Sequence, residues 1–144
     1  MRRRIRNRRN EAGTGERMLR LPYVTLIVLV AGILYLMAGM SLLLQPEWFF
    51  DNIGRYPPFN RHYMGDLGSF LAPLGIGLIL ASQNPSRNRL LIGVAVFASL
   101  IHSFNHIYDA WVGGEPIASW FGDVVPLFIF ALIFLSVGLR TRRG

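Results

Sequence analysis

The chain has 144 residues, of which 52% are hydrophobic and 16% are charged, and its formal net charge is +7. It contains neither cysteine nor lysine, which excludes disulfides, thiolate metal sites, cysteine nucleophiles and Schiff-base lysines. The positive charge does not by itself indicate nucleic-acid binding, because the arginines flank apolar segments and no nucleic-acid recognition motif accompanies them. We therefore expect no nucleic-acid partner.

Residues 1–20 form a basic segment with eight arginines and few apolar side chains. This composition predicts a disordered tail in water that is attracted to anionic lipid headgroups. A second, shorter basic tail covers residues 140–144. The residues between the two tails, 21–139, are predicted to form one transmembrane domain.

Four apolar segments divide this domain. A helix needs about 20 apolar residues to cross the hydrocarbon core of a bilayer. Pro46 ends the first apolar segment, because proline disfavours a helical conformation at the residue before it. Asn60 is suited to be the N-cap of the second segment. The predicted fold is an all-α integral membrane four-helix bundle, with spans at residues 22–44, 60–82, 89–111 and 116–139.

The positions of the arginines predict the orientation of these spans. If the N-terminus is cytoplasmic, both tails and the connection that holds Arg87 and Arg89 lie inside. Only Arg55 and Arg61 then lie outside, as the positive-inside rule requires. We expect a multi-pass protein of the cell inner (plasma) membrane with both termini in the cytoplasm.

Ionisable residues recur at helical spacing inside the apolar segments. His102, His106 and Asp109 follow the spacing i, i+4, i+7, which places them on one face of the third span. His62 and Asp66 are also four residues apart, in the second span. Because an ionisable side chain is costly in hydrocarbon, each needs a reason to be there.

The predicted orientation brings these residues to one layer. The second span begins outside and the third ends outside, so their polar residues fall in the outer half of the bundle. Asp123 lies at a similar depth in the fourth span. Three helices are thus predicted to deliver ionisable groups to one polar site.

Several chemistries fit such a site. Zinc, iron or copper would accept His62, Asp66, His102 and His106 as ligands, with Asp109, Asp123 and Asn105 orienting a ligand or accepting a proton. Haem between His62 and His102 or His106 is another alternative, as is proton transfer. The other class is a non-catalytic accessory subunit whose polar layer is structural, or which binds a lipid or quinone headgroup or another membrane subunit. No catalytic residue is assigned, and the sequence leaves enzyme and non-enzyme open.

The motifs Pro58-x-Asn60-x-His62-x3-Asp66-x-Gly68 and His102-x3-His106-x2-Asp109 carry a resemblance to known proteins. Across about residues 46–112 the chain resembles a group of small, uncharacterised four-span proteins frequent in actinobacteria. The resemblance implies a compact helical bundle with these His and Asp positions as its signature. More distantly, the architecture is similar to that of the DoxX-like four-span proteins.

Overall fold

A computed structural model describes residues 2–55, 57–114, 121 and 124–141. Within these residues all regular secondary structure is helical, which agrees with the predicted all-α class. The helices, in chain order, are α1 (Arg2–Leu44), α2 (Pro46–Asn52), α3 (Arg61–Ser82), α4 (Arg89–Val112) and α5 (Val124–Thr141).

Three of the described helices are long and apolar enough to cross a membrane: Tyr23–Leu44 within α1, Arg61–Ser82 and Arg89–Val112. Their bounds agree within one residue with the first three predicted spans, because length and hydropathy are properties of the local sequence. In α5 the apolar part is the shorter stretch Val124–Val137. The start of the predicted span 116–139 falls largely on residues outside those described, so a fourth crossing remains a prediction.

The basic segment before the first span has a helical backbone. Helix α1 begins at Arg2, so residues 2–20 continue the first span as one helix. Arginine, glutamate, methionine and leucine are good helix formers, and the apolar span provides a nucleus from which a helix extends. Disorder of this segment in water remains a prediction.

The N-terminus of α3 is capped as the sequence predicts. The Asn60 side-chain oxygen accepts hydrogen bonds from the backbone N–H groups of His62 and Tyr63, at 3.0 and 3.2 Å. These bonds satisfy two of the donors that a helix leaves unpaired at its start. The cap therefore fixes where α3 begins, and with it the position of His62 in the first turn.

The closest packing in the bundle joins α1 to α3. A methyl group built on Gly39 would lie 2.4 Å from the Ala72 nitrogen, and one built on Gly75 would lie 2.4 Å from the Leu36 nitrogen. The two backbones are thus in direct contact at both glycines. In membranes, where burial of apolar surface gives little driving force, such small residues let helices gain van der Waals contact.

Helix α4 packs mainly against α5, not against its neighbour in sequence, α3. The Ser103 hydroxyl donates to the Leu127 carbonyl at 3.2 Å, and the rings of Phe104 and Phe128 meet edge to face at 5.9 Å. Between α3 and α4 a contact occurs near the connecting turn, where a methyl group on Gly77 would lie 3.2 Å from Leu91 Cδ2. The short turn predicts that these two helices are antiparallel neighbours; they meet near the turn, and most of the packing of α4 is with α5.

Labelling from either side of the membrane should test the predicted orientation. Because the chain has no cysteine, an introduced cysteine is a unique target. We expect Asn52→Cys, in α2, to react with an impermeant maleimide on intact cells, and Ser86→Cys to react only after lysis. The reverse pattern would show that the positive-inside reading of the arginines is wrong.

Candidate functional site

The two predicted site residues of α3 contact each other. His62 Nε2 lies 3.4 Å from Asp66 Oδ2, and the two side chains are 80% and 58% exposed. The spacing of four residues places them on adjacent turns of the same helix face. They thus form an accessible pair near the start of α3.

The predicted site residues of α4 form two further contacts. The imidazole rings of His102 and His106 meet edge to face with centroids 4.6 Å apart. The Asn105 side-chain amide donates to Asp109 Oδ2 at 2.8 Å. Like the α3 pair, each of these contacts lies within a single helix, so local helix geometry is sufficient to produce them.

Within the described residues, no group of three or more His, Asp or Glu side chains is arranged to hold a metal ion. His62 and Asp66 on one helix, and His102 and His106 on another, are two pairs rather than one assembled ligand set. Asp123 lies outside the described residues. The structure therefore gives no direct support to the predicted metal centre.

The contact between α3 and α4 nevertheless indicates that the two pairs lie at a similar level along their helices. Asp66 precedes Gly77 by eleven residues, and His102 follows Leu91 by eleven. Eleven residues are about three helical turns, so each ionisable residue lies on the same face as the contact residue of its helix, roughly 16 Å further along. Asp66 and His102 are therefore at about one level on two adjacent antiparallel helices, and His62 and His106 are one turn beyond.

Helix α1 ends and helix α3 begins at the same end of the bundle, where α2 connects them; we refer to it as the α2 end. Here an open cleft of about 470 Å³ lies between these helices. One side of its lining is apolar and the other carries both residues of the α3 pair; the lining residues are Leu42, Leu43, Pro46, Arg61, His62, Gly65 and Asp66. The cleft therefore brings part of the predicted polar site next to hydrocarbon side chains.

A second open cleft adjoins the first and shares Pro46 and Arg61 with it. It is lined by Leu44, Gln45, Pro46, Glu47, Trp48 and Arg61. Arg61 thus borders both clefts. From the sequence, this arginine is predicted only to lie outside the membrane, not to belong to the site. Its position next to the N-cap residue Asn60 and the pair-forming His62 is the signal that could have identified it.

Three hydroxyl groups near the centre of the bundle were also missed. Ser99 donates to the Ala95 carbonyl at 2.8 Å, which leaves its oxygen to accept from the Tyr35 hydroxyl at 2.6 Å. The single hydroxyl proton of Ser103 is shared between the Ser99 carbonyl, at 2.8 Å, and the Leu127 carbonyl, at 3.2 Å. The spacing of four residues between the serines, each three residues before a histidine, could have revealed a second polar row on α4.

Together the long apolar helices and the polar cleft define a helical membrane protein that contacts lipid. The chain belongs to a family of unknown function, DUF6632, whose model matches residues 17–143. No curated protein and no solved structure matches the chain. Membership of this family agrees with the predicted resemblance to uncharacterised proteins, while the actinobacterial and DoxX-like parts of that resemblance remain predictions.

Proposed function

We propose that this protein is a non-catalytic, lipid-binding membrane subunit whose cleft at the α2 end holds the headgroup of a phospholipid. The observation that carries the proposal is the two-sided lining of the cleft. Leu42 and Leu43 provide an apolar wall, and Arg61, His62 and Asp66 provide polar groups beside it. An amphiphile has the same division between hydrocarbon and headgroup.

The chemistry of the lining fits a phosphate-containing headgroup. The guanidinium group of Arg61 offers planar N–H donors that match phosphate oxygens. The adjoining cleft carries Trp48, which is 50% exposed. Tryptophan is typical of the headgroup layer, so its position supports placement of the cleft at that depth.

Lipid retention by the purified protein tests the proposal. We expect native mass spectrometry of the detergent-solubilised chain to detect bound phospholipid. Arg61→Ala should weaken retention by about 10-fold, because a hydrogen bond to a charged group contributes about 1.5–3 kcal/mol. The matched control is Arg87→Ala, an exposed arginine in the turn between α3 and α4, away from the clefts, which should retain lipid like the unmodified protein.

Equal retention by the two arginine variants would contradict the proposal, because annular lipid binds without regard to a particular cleft. Equal thermal unfolding of the two variants ensures that a difference in retention does not arise from misfolding. The comparison therefore isolates the effect of Arg61 on lipid retention.

A transition-metal site is the second candidate function, and the matched register of α3 and α4 supports it. His62, Asp66, His102 and His106 would come together as ligands if the two helices closed at the α2 end. Asp109, Asn105 and Asp123 would orient them or accept a proton.

Elemental analysis of the purified protein separates the two candidates. A stoichiometric zinc, iron or copper ion that is lost in His102→Gln/His106→Gln would favour the metal site. Haem held between His62 and His102 or His106 would instead give an absorbance spectrum typical of that group. Protein that is metal-free after purification in metal-supplemented buffer would leave lipid binding as the proposal.

A further inference from the structure

We infer that the cleft selects phospholipids whose headgroup ends in a primary ammonium group, as in phosphatidylethanolamine. This inference rests on the proposed function and names its ligand. Its basis is the order of charges along the two adjoining clefts, in which Arg61 lies between two carboxylates. Glu47 lines the second cleft and Asp66 lines the first, while Arg61 lines both.

The balance of charge at this end differs from that of the whole chain. Although the protein has a formal net charge of +7, every acidic residue between positions 23 and 114 belongs to the α2 end: Glu47, Asp51, Asp66 and Asp109. The formally charged groups that line the two clefts are one arginine and two carboxylates, beside the imidazole of His62. Such a lining repels a headgroup with excess negative charge but suits a zwitterion.

Each charge of a zwitterionic headgroup has a partner of opposite charge in this lining. Its phosphate is placed at the Arg61 guanidinium, and its ammonium group donates hydrogen bonds to a carboxylate on either side, Glu47 or Asp66. Asp66 can be that partner while it keeps its contact with His62, because an ionised carboxylate has about four acceptor positions and this side chain is 58% exposed. The acyl chains then follow Leu42 and Leu43 along α1.

The same lining distinguishes a primary ammonium group from a quaternary one. A primary ammonium has three N–H donors for Glu47 and Asp66, whereas choline has none. Proteins that select quaternary ammonium groups surround them with several aromatic rings. The described lining of the two clefts holds one aromatic residue, Trp48. The cleft is therefore better suited to hydrogen bonding than to a cation–π cage.

A competition experiment tests this selectivity. The full chain in detergent is mixed with equal amounts of phosphatidylethanolamine, phosphatidylcholine and phosphatidylglycerol with identical acyl chains, and bound lipid is counted by native mass spectrometry. We expect phosphatidylethanolamine to exceed each competitor by about 10-fold, the factor expected for one hydrogen bond to a charged group.

Charge-neutralising variants identify the groups responsible. Glu47→Gln and Asp66→Asn should bring the ratio of ethanolamine to choline lipid, measured in the phospholipid that each variant binds, close to one. Asp51→Asn is the matched control, since Asp51 is exposed on α2 and is not among the residues that line either cleft. Free phosphoethanolamine should displace little lipid, because it lacks the hydrocarbon that contacts Leu42 and Leu43.

The outcomes separate this inference from the proposed function. Bound phospholipid that depends on Arg61 but shows no preference for ethanolamine would overturn the inference alone. A preference that survives both carboxylate substitutions would also overturn it. Retention that does not depend on Arg61 would overturn the proposed function and the inference with it. Efficient displacement by free phosphoethanolamine would show that a soluble phosphate compound, not a lipid, is the ligand class.

Discussion

Gly75→Ala should separate α1 from α3 and destabilise the protein. The added methyl group would lie 2.4 Å from the Leu36 nitrogen and 2.7 Å from its Cα, and neither backbone atom can move without the helix. Overpacking of a close-packed site typically costs about 1–3 kcal/mol, and a clash with backbone belongs at the upper end of that range. The midpoint of thermal unfolding in detergent should fall accordingly.

Gly93→Ala is the control for this substitution. A methyl group on Gly93, in the second turn of α4, would meet no atom within 4 Å. Alanine is up to about 1 kcal/mol more favourable than glycine inside a helix, so this variant should be as stable as the unmodified protein or more stable. Equal unfolding temperatures for the two variants would contradict the direct backbone contact between α1 and α3.

Phe134→Ala should produce the second large effect. Phe134, in α5, is the largest of the fully buried side chains, and it belongs to the same core cluster as Val28 and Ile92. Removing a buried phenylalanine ring costs about 3–5 kcal/mol in water-soluble proteins. We expect the lower end of that range, because lipid chains solvate the exposed ring in the unfolded state and only the packing contribution is lost.

Leu132→Ala, two residues earlier on the same helix, provides the comparison. Leu132 is 47% exposed, so its truncation removes contact with lipid or detergent more than contact with the core. Both variants should be followed by thermal unfolding under identical detergent conditions. A loss of stability for Leu132→Ala that equals the loss for Phe134→Ala would contradict the burial of Phe134.

The contact between α1 and α3 also matters for the cleft. A methyl group on Gly68 would lie 2.9 Å from Leu43 Cγ and 3.0 Å from Leu42 Cβ. The absence of a side chain at Gly68 therefore lets both leucines approach α3 two turns after Arg61. The glycine contacts that hold the helix pair together thus also place the apolar wall of the cleft beside its polar wall.

Local features of this protein could be predicted from the sequence. The bounds of three spans follow from the length of apolar runs, and the start of α3 follows from Asn60, whose side chain bonds to the next backbone groups. The pairs His62–Asp66 and His102–His106 follow from the spacing of four residues. Each of these features depends on residues within one or two helical turns of each other.

The tertiary structure decided which helices pair and where the polar residues lie relative to each other. The short connection predicts that α3 and α4 are antiparallel neighbours, and they do meet near that turn, but it does not predict that the glycines of α3 fit α1 or that α4 packs mainly on α5. Partner choice depends on complementary surfaces that are distant in sequence, which helical periodicity does not encode. For the same reason, only the structure revealed that Arg61 borders both clefts and that Tyr35 reaches Ser99.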